Sequence, residues 1–254
     1  MEFLAALLPS EDIGITAIIL AVFLFAGVVK GFLGIGLPAA AMAILTLVIE
    51  PTIAISLLTL PIIFTNIMQY ASCDSPRLIA AKYWLFGVAI MSSIFVTSLF
   101  ILSFPTAMLT ISIGFAMIIF SLTQMFGARM PMGPGRGWHV AVGLFSGTLG
   151  GLSSIWSPPV AMYLLTQNVS KDEFIGATGF LFLAGSIPLA TGLALAGVLT
   201  LTTTLHSLMG LVVVLSGFKI GEWLRGHVPQ NIFRQIVLWA FLLMGGRLIA
   251  VGIF

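Results

Sequence analysis

Long apolar runs, separated by short polar stretches, follow one another along almost the whole chain. About ten segments can be distinguished, and they cover residues 13–29, 37–49, 53–70, 83–102, 109–126, 140–152, 159–166, 174–199, 205–220 and 236–253. A helix needs about 20 apolar residues to cross a bilayer. The pattern predicts an all-α polytopic membrane protein with about eight full transmembrane helices. The second and seventh segments are short, and we expect them to be broken or re-entrant.

One stretch, residues 27–42, returns in altered form at residues 143–162. In both copies an apolar segment ends with Gly-x-x-x-Gly-x-Leu-Gly. A proline then lies at the start of the short apolar segment that follows. The alignment pairs Gly27, Gly31, Leu33 and Gly34 with Gly143, Gly147, Leu149 and Gly150, and, after a small insertion, Pro38 with Pro158. A repeat of this kind predicts two related halves. We expect a single transmembrane domain with repeat one at 13–126, a linker at 127–137 and repeat two at 138–254.

Composition agrees with a membrane protein. Of the 254 residues 59% are hydrophobic and 7% are charged, whereas soluble domains carry about 25% charged residues. The lone Cys73 cannot form an internal disulfide, and the three histidines lack the spacing of metal ligands. We therefore expect no cofactor, no metal and no nucleic-acid partner, only the lipid bilayer and a small solute. The acidic start, with Glu2, Glu11 and Asp12, is unlike a signal peptide, so we expect the first segment to be retained.

Positive charges predict how the segments are oriented. Lys and Arg occur in alternate loops, at Arg77, Lys82, Arg129, Arg136, Lys171, Lys219, Arg225 and Arg234. Such loops face the cytoplasm. This predicts a multi-pass protein of the cell inner (plasma) membrane with both termini outside. Since each half has an odd number of segments, the two halves are expected to be inverted repeats, with one repeat rocking against the other.

Two short, Gly- and Pro-interrupted segments at matching positions of inverted repeats indicate a transporter's binding site. A broken helix leaves N–H groups that cost several kcal/mol each in lipid unless they meet protein, water or a ligand. Free N–H groups at a helix N-terminus attract anions, and Pro38, Pro158 and Pro159 suit a first helical turn. We expect both short helices to point at one anion near the midplane. The alternative is that Gly-x-x-x-Gly only allows close helix packing.

Polar residues near these breaks form the predicted substrate site. They are Lys30, Gly34, Gly36, Asn66, Gln69, Gly150, Ser153, Ser154 and Trp156. The Lys30 ammonium either attracts the anion or snorkels to the interface. Thr65, Asn66 and Gln69 either contact the ligand or form interhelical hydrogen bonds. Trp156 either donates its indole N–H or packs as a wedge or interfacial anchor.

Three sequence motifs resemble those of a known family: G-F-L-G-I-G-L-P at 31–38, L-P-I-I-F-T-N-I-M-Q at 60–69 and G-G-L-S-S-I-W-S-P-P at 150–159. Together with both repeats they are similar to the TauE/SafE sulfite exporter family. The resemblance implies a secondary transporter or facilitated exporter of a small sulfur oxyanion or organosulfonate, such as sulfite or thiosulfate. Import by cation symport and a non-transporting scaffold subunit are the alternatives, and a homo-oligomer is left open.

Two other ionisable features have alternatives of their own. Arg247 lies within the last segment, where it either contacts substrate or snorkels to the outer interface. Ser146 and His206 are the only candidates for an intramembrane serine hydrolase pair. We expect no enzyme, because the two lie near opposite ends of their segments.

Overall fold

The computed structural model describes residues 13–127, 133, 135–227 and 230–253, and these residues form ten α-helices and one short 3-10 turn. The helices are α1 (Ile13–Leu33), α2 (Leu37–Leu45), α3 (Pro51–Ala71), α4 (Pro76–Leu99), α5 (Thr106–Phe126), α6 (Arg136–Ser153), α7 (Ser157–Thr166), α8 (Lys171–Leu195), α9 (Leu201–Arg225) and α10 (Gln230–Ile253). The all-α fold and the ten predicted segments are confirmed. Glu2, Glu11, Asp12, Arg129 and most of the 127–137 linker lie outside the described residues.

Helix length divides the ten helices into two kinds. Among the described residues, 7 helices are long and apolar enough to cross a membrane, namely α1, α3, α4, α5, α8, α9 and α10. Helix α6 has 18 residues and begins with the polar residues Arg136 and His139. Helices α2 and α7 have only 9 and 10 residues, too few to cross a hydrocarbon core of about 30 Å at about 1.5 Å per residue. The chain is therefore a multi-pass membrane protein with two short helices.

Glycines let helices from different halves touch backbone to backbone. Along α1 and α9, a Cβ added to Gly27 would lie 2.3 Å from the Val214 carbonyl oxygen, and one added to Gly217 would lie 2.2 Å from that of Leu24. Helix α6 packs on α4 in the same way. Small residues permit this approach in membranes, where dispersion contacts drive helix association. The Gly-x-x-x-Gly pattern is thus used for packing.

Side-chain contacts gather the starts of three helices at one end of the bundle. Lys82 of α4 forms an ion pair with Glu173 of α8. The neighbouring Tyr83 faces the His139 ring of α6, with ring centroids 5.7 Å apart. Helices α4, α6 and α8 therefore all begin at this end.

Two arginines show which other helices begin or end at this end of the bundle. At the end of α9, Arg225 donates from Nε to the Phe32 carbonyl at 2.8 Å. Arg234 of α10 donates to the Gln124 carbonyl of α5 and shares a cavity with Phe174, near the start of α8. Helices α1, α5 and α9 therefore end where α4, α6, α8 and α10 begin, so α1 and α6 run in opposite directions. We call this the cation-rich end, after Lys82, Arg136, Arg225 and Arg234.

A proline inside α3 is accommodated by a serine from α9. Pro61 has no N–H, so the Leu57 carbonyl loses its helical donor. The Ser207 hydroxyl donates to this carbonyl at 2.8 Å and accepts from the Leu60 N–H at 3.0 Å. One hydroxyl thus satisfies two backbone groups at the interruption and joins α3 to α9.

We expect Ser207→Ala to lower the free energy of unfolding by about 1–3 kcal/mol, because two buried backbone groups lose their partner. Thermal unfolding in detergent measures this change. Ser216→Ala is the matched control on α9, since the Ser216 hydroxyl bonds only within its own helix on an exposed face. Equal melting temperatures for the two variants would contradict the assigned role of Ser207.

Candidate functional site

Two short breaks, whose first residues share one backbone geometry, interrupt the helices. Helix α1 ends at Leu33 and α2 begins at Leu37, and α6 ends at Ser153 and α7 begins at Ser157. The first residue of each break is left-handed, with φ of 81° at Gly34 and 62° at Ser154. Its N–H donates at 2.7 Å to the carbonyl of Lys30 in the first break and of Gly150 in the second. Ser154 thus adopts a conformation that non-glycine residues seldom take.

The matched geometry corrects the alignment of the repeats. The sequence comparison paired Gly34 with Gly150, but Gly150 lies one turn inside α6, and Ser154 takes the place of Gly34. The structural pairing sets Lys30 against Gly150 and Gly36 against Trp156, and it needs no insertion. The sequence alignment was wrong because packing glycines recur every helical turn, so a slip of four residues still matches glycine to glycine.

One cavity lies between the two breaks. It is bounded by Gly36 of the first break, by Trp156 of the second, and by Ile62 and Phe182 about halfway along α3 and α8. Its empty volume, with its opening included, is about 320 Å³. Residues from both halves of the chain therefore line one small cavity.

A buried ammonium supplies the charge of this cavity. Lys30 is only 4% exposed, and its Nζ donates to the Asn66 Oδ1 at 2.5 Å. The ion pairs among the described residues join Lys82 to Glu173 and Lys219 to Glu222, so Lys30 has a neutral amide where a carboxylate would neutralise it. An uncompensated buried cation is costly. The cavity is therefore electrostatically suited to an anion.

Two residues that line the cavity carry a buried polar atom without a partner. Within the described part of the chain, the Ser154 Oγ and the Trp156 Nε1 are buried and form no hydrogen bond. Buried polar groups without partners are rare, and each costs about 1–3 kcal/mol. An indole N–H can only donate. A hydrogen-bond acceptor would therefore satisfy the Trp156 indole, and the Ser154 hydroxyl could donate to the same acceptor.

The two short helices begin at the same cavity. Leu37 and Ser157, their first residues, line it, and Pro38 and Pro158 follow in the first turn as predicted. The first N–H groups of a helix have no intrahelical acceptor and carry its positive dipole end. Both dipoles therefore add to the attraction that Lys30 exerts on an anion.

The two halves contribute different side chains at equivalent positions. A Cβ on Gly150 would lie 2.8 Å from the Trp156 Cβ, so Gly150 makes room for the indole. In the first half, Lys30 occupies the position equivalent to Gly150. Gly36 occupies the position equivalent to Trp156. One half thus supplies the cation and the other half supplies the aromatic donor.

Four of the nine predicted site residues lie outside the lining of this cavity. Gln69 donates to the Ile175 carbonyl at 3.2 Å and to the Thr178 Oγ1 at 2.9 Å, which is the interhelical alternative. Thr65 was a further candidate, and its hydroxyl bonds to the Pro61 carbonyl at 2.6 Å. The other three are Gly34, Gly150 and Ser153.

Hydroxyl groups instead shape the second break. Ser153 donates to the Leu149 carbonyl at 2.6 Å and accepts from the Ile155 N–H at 3.1 Å. Ser146 donates to the Trp156 carbonyl at 2.5 Å. These bonds hold the backbone that presents the indole to the cavity.

Ser146, His206 and Arg247 do not line the cavity. Ser146 belongs to α6, which packs on α4, whereas His206 belongs to α9, which packs on α1 and α3. Arg247 shares a cavity with Glu50 and with Thr106, the first residue of α5, and α5 ends at the cation-rich end. Arg247 therefore lies near the opposite end of the bundle.

Sequence reasoning missed several residues that line the cavity. Ile35, Ile62 and Phe182 are apolar residues in apolar segments, and the sequence gives no sign that they face a cavity. Ser157 lies beside the second break, and its position between Trp156 and Pro158 was a usable signal.

Gly150→Ala is expected to displace the indole and to lower the free energy of unfolding by about 1–3 kcal/mol, because the added methyl overpacks the contact with Trp156. Gly137→Ala is the control within α6, since a Cβ there meets nothing within 4 Å. Thermal unfolding compares the two variants. A Gly150→Ala protein as stable as the Gly137→Ala protein would show that this space is not needed for the indole.

Comparison with known proteins gives one match. A family model described as Sulfite exporter TauE/SafE matches residues 19–248. No curated protein and no solved structure matches the chain. The match covers both breaks, the cavity and most of both halves, in agreement with the resemblance of the three sequence motifs. The chain therefore belongs to the TauE/SafE sulfite exporter family of membrane proteins.

Proposed function

We propose that the protein carries a small sulfur-containing anion, such as sulfite, thiosulfate or an organosulfonate, through the cavity between the two breaks. Family membership supports a membrane transporter of sulfur anions. The identity of the anion, the residues that bind it and the transport mechanism are our inference from the geometry. The observation that carries this inference is the uncompensated Lys30 beside two buried donors without partners.

A sulfur oxyanion matches this set of groups in charge and in hydrogen bonding. Its oxygens accept hydrogen bonds, and they would satisfy the Ser154 hydroxyl and the Trp156 indole. Its negative charge would compensate the Lys30 ammonium through a charge-assisted hydrogen bond, which is stronger than a neutral one. The N-termini of helices α2 and α7 add further hydrogen-bond donors at the same cavity.

Release of the anion requires that the free energy of the site without it is not too high. The Asn66 side-chain oxygen accepts a hydrogen bond from the Lys30 ammonium at 2.5 Å. A neutral amide supplies a dipole and leaves the net charge of the site positive. The ammonium can therefore exchange Asn66 for an anion and return to Asn66 afterwards, without a strong ion pair that would trap the protein in one state.

Alternating access fits the opposite directions of α1 and α6. We propose that residues 13–126 and 138–254 are inverted repeats within one transmembrane domain, an arrangement that many transporters use. The packing modifies the expected motion, because α1 packs on α9, α4 on α6 and α5 on α10. These contacts join the two halves, so we propose that the moving units are helix pairs drawn from both repeats.

Export follows from the charge of the substrate. If the cation-rich end faces the cytoplasm, both termini lie outside the cell inner membrane. An inside-negative potential then drives an anion outward by about 2.3 kcal/mol per charge per 100 mV. We propose facilitated export on this basis, and uptake by cation symport is the outcome that flux under an imposed potential would reveal.

Trp156→Phe is expected to weaken binding of the transported anion about 10- to 100-fold, because a hydrogen bond to a charged partner contributes about 1.5–3 kcal/mol. Sulfite, thiosulfate, taurine, sulfate and a carboxylate are tested by the shift in thermal stability of the purified protein. The wild-type protein should gain about 2.7 kcal/mol at 100 times the dissociation constant.

Trp84→Phe is the matched control, since Trp84 is exposed on α4. Unchanged affinity in Trp156→Phe would remove the indole from the site. If the wild-type protein shows no shift with any sulfur anion, the proposed substrate class is wrong.

Lys30→Met is expected to abolish stabilisation by the anion while leaving the empty protein at least as stable as wild type, because an uncompensated buried cation is removed. Lys219→Met, which breaks an exposed ion pair with Glu222, should keep the anion-dependent shift. An anion-dependent shift that persists in Lys30→Met would exclude Lys30 as the cation of the site.

A further inference from the structure

A second cavity lies at the cation-rich end, next to the first break. Its lining includes Leu33, Ile35, Gln124, Phe174 and Arg234. Its empty volume, with its opening included, is about 660 Å³, larger than that of the cavity at Lys30. We call it the Arg234 vestibule.

A single side chain is shared by the two cavities. Among the residues that line them, Ile35 alone belongs to both. Ile35 is 7% exposed, so it is almost fully packed in this conformation. The two cavities are therefore neighbours, and the Ile35 side chain forms part of the wall between them.

The backbone around Ile35 is suited to movement. Its neighbours Gly34 and Gly36 have φ of 81° and 95°, and glycine crosses between left- and right-handed conformations with little cost. Ile155 holds the equivalent place in the second break, where its neighbours are Ser154 and Trp156. The first break therefore has the glycine hinges that the second break lacks.

The charges around the vestibule favour an anion. Arg234 donates to the Gln124 carbonyl and, at 3.3 Å, to the Gln124 side-chain oxygen. Arg225 donates to the carbonyls of Gly31 and Phe32, beside the same break. Every acceptor here is neutral, and the ion pairs of the described residues involve neither arginine. Two uncompensated cations raise the local concentration of anions and speed their entry.

We propose that the Arg234 vestibule is the route by which the anion passes between the cation-rich side and the Lys30 cavity, with Arg234 as a transient anion-binding residue and Ile35 as the gate. This inference rests on the proposed function and adds a path and a second site to it. In the conformation described here Ile35 closes the path. Rotation about the glycine hinges moves Ile35 aside and joins the two cavities.

Arg234→Gln tests whether the positive charge of Arg234 attracts the anion. Initial sulfite flux in liposomes should fall about tenfold at low ionic strength, and the loss should shrink at high salt because screening weakens the attraction of the wild-type arginine. The equilibrium affinity from thermal shifts should stay within about twofold of wild type, since Arg234 does not line the Lys30 cavity. Arg234→Lys should retain most of the flux.

Arg247→Gln is the control, because Arg247 lies at the opposite end of the bundle. Wild-type flux in Arg234→Gln would overturn the proposal, and so would a loss of flux that salt leaves unchanged. Absence of any sulfite effect on the wild-type protein would instead reject the proposed function.

Ile35→Cys tests the gate in a Cys73→Ser background, which removes the single native thiol. A membrane-impermeant maleimide applied from the cation-rich side should label residue 35 and block flux. The same reagent from the other side should react at least about tenfold more slowly, as expected when a packed barrier separates the two sides. Faster labelling from the other side, or labelling that leaves flux unchanged, would overturn the assignment of Ile35. Cys73→Ser alone, labelled in parallel, supplies the background.

Discussion

The cost of burying the Lys30 ammonium is the constraint on which the site depends. In a lipid-embedded protein a charge needs a counter-charge or a ligand, and Lys30 donates its hydrogen bond to the neutral Asn66 amide. The unpartnered donors of Ser154 and Trp156 add the same requirement from the other half. An anion meets all three demands at once. We propose that binding of the anion offsets the cost of these buried groups.

Helix packing fixes where this charge is placed. Glycines bring α1 against α9 and α6 against α4 closely enough for backbone contact. Arg225 binds the last carbonyls of α1, and Ser146 binds the carbonyl of Trp156. The breaks are thus held by interactions that do not use the Ser154 hydroxyl or the Trp156 indole, and we propose that these two donors bind the ligand. The same packing joins the halves and favours helix pairs as the moving units.

Much of this was readable from the sequence, because the bilayer imposes simple rules on length and polarity. The ten segments and the first-turn prolines followed from hydropathy and backbone chemistry, and Lys30, Gly36, Asn66, Ser154 and Trp156 all line the cavity. Gln69 and Ser153 are equally polar, yet their groups bond within the protein. Sequence cannot separate these uses, since both need a polar residue in an apolar helix. The proposed role of Ile35 depends on which cavities form around it, and the sequence pattern does not contain that information.

The most direct test is the position of a bound anion. Selenite is a heavier chemical analogue of sulfite, and its anomalous scattering locates it in a crystal of the protein. The account predicts one selenite within hydrogen-bonding distance of the Lys30 Nζ, the Ser154 Oγ and the Trp156 Nε1. Selenite bound elsewhere, with these three groups still lacking an anionic partner, would contradict it.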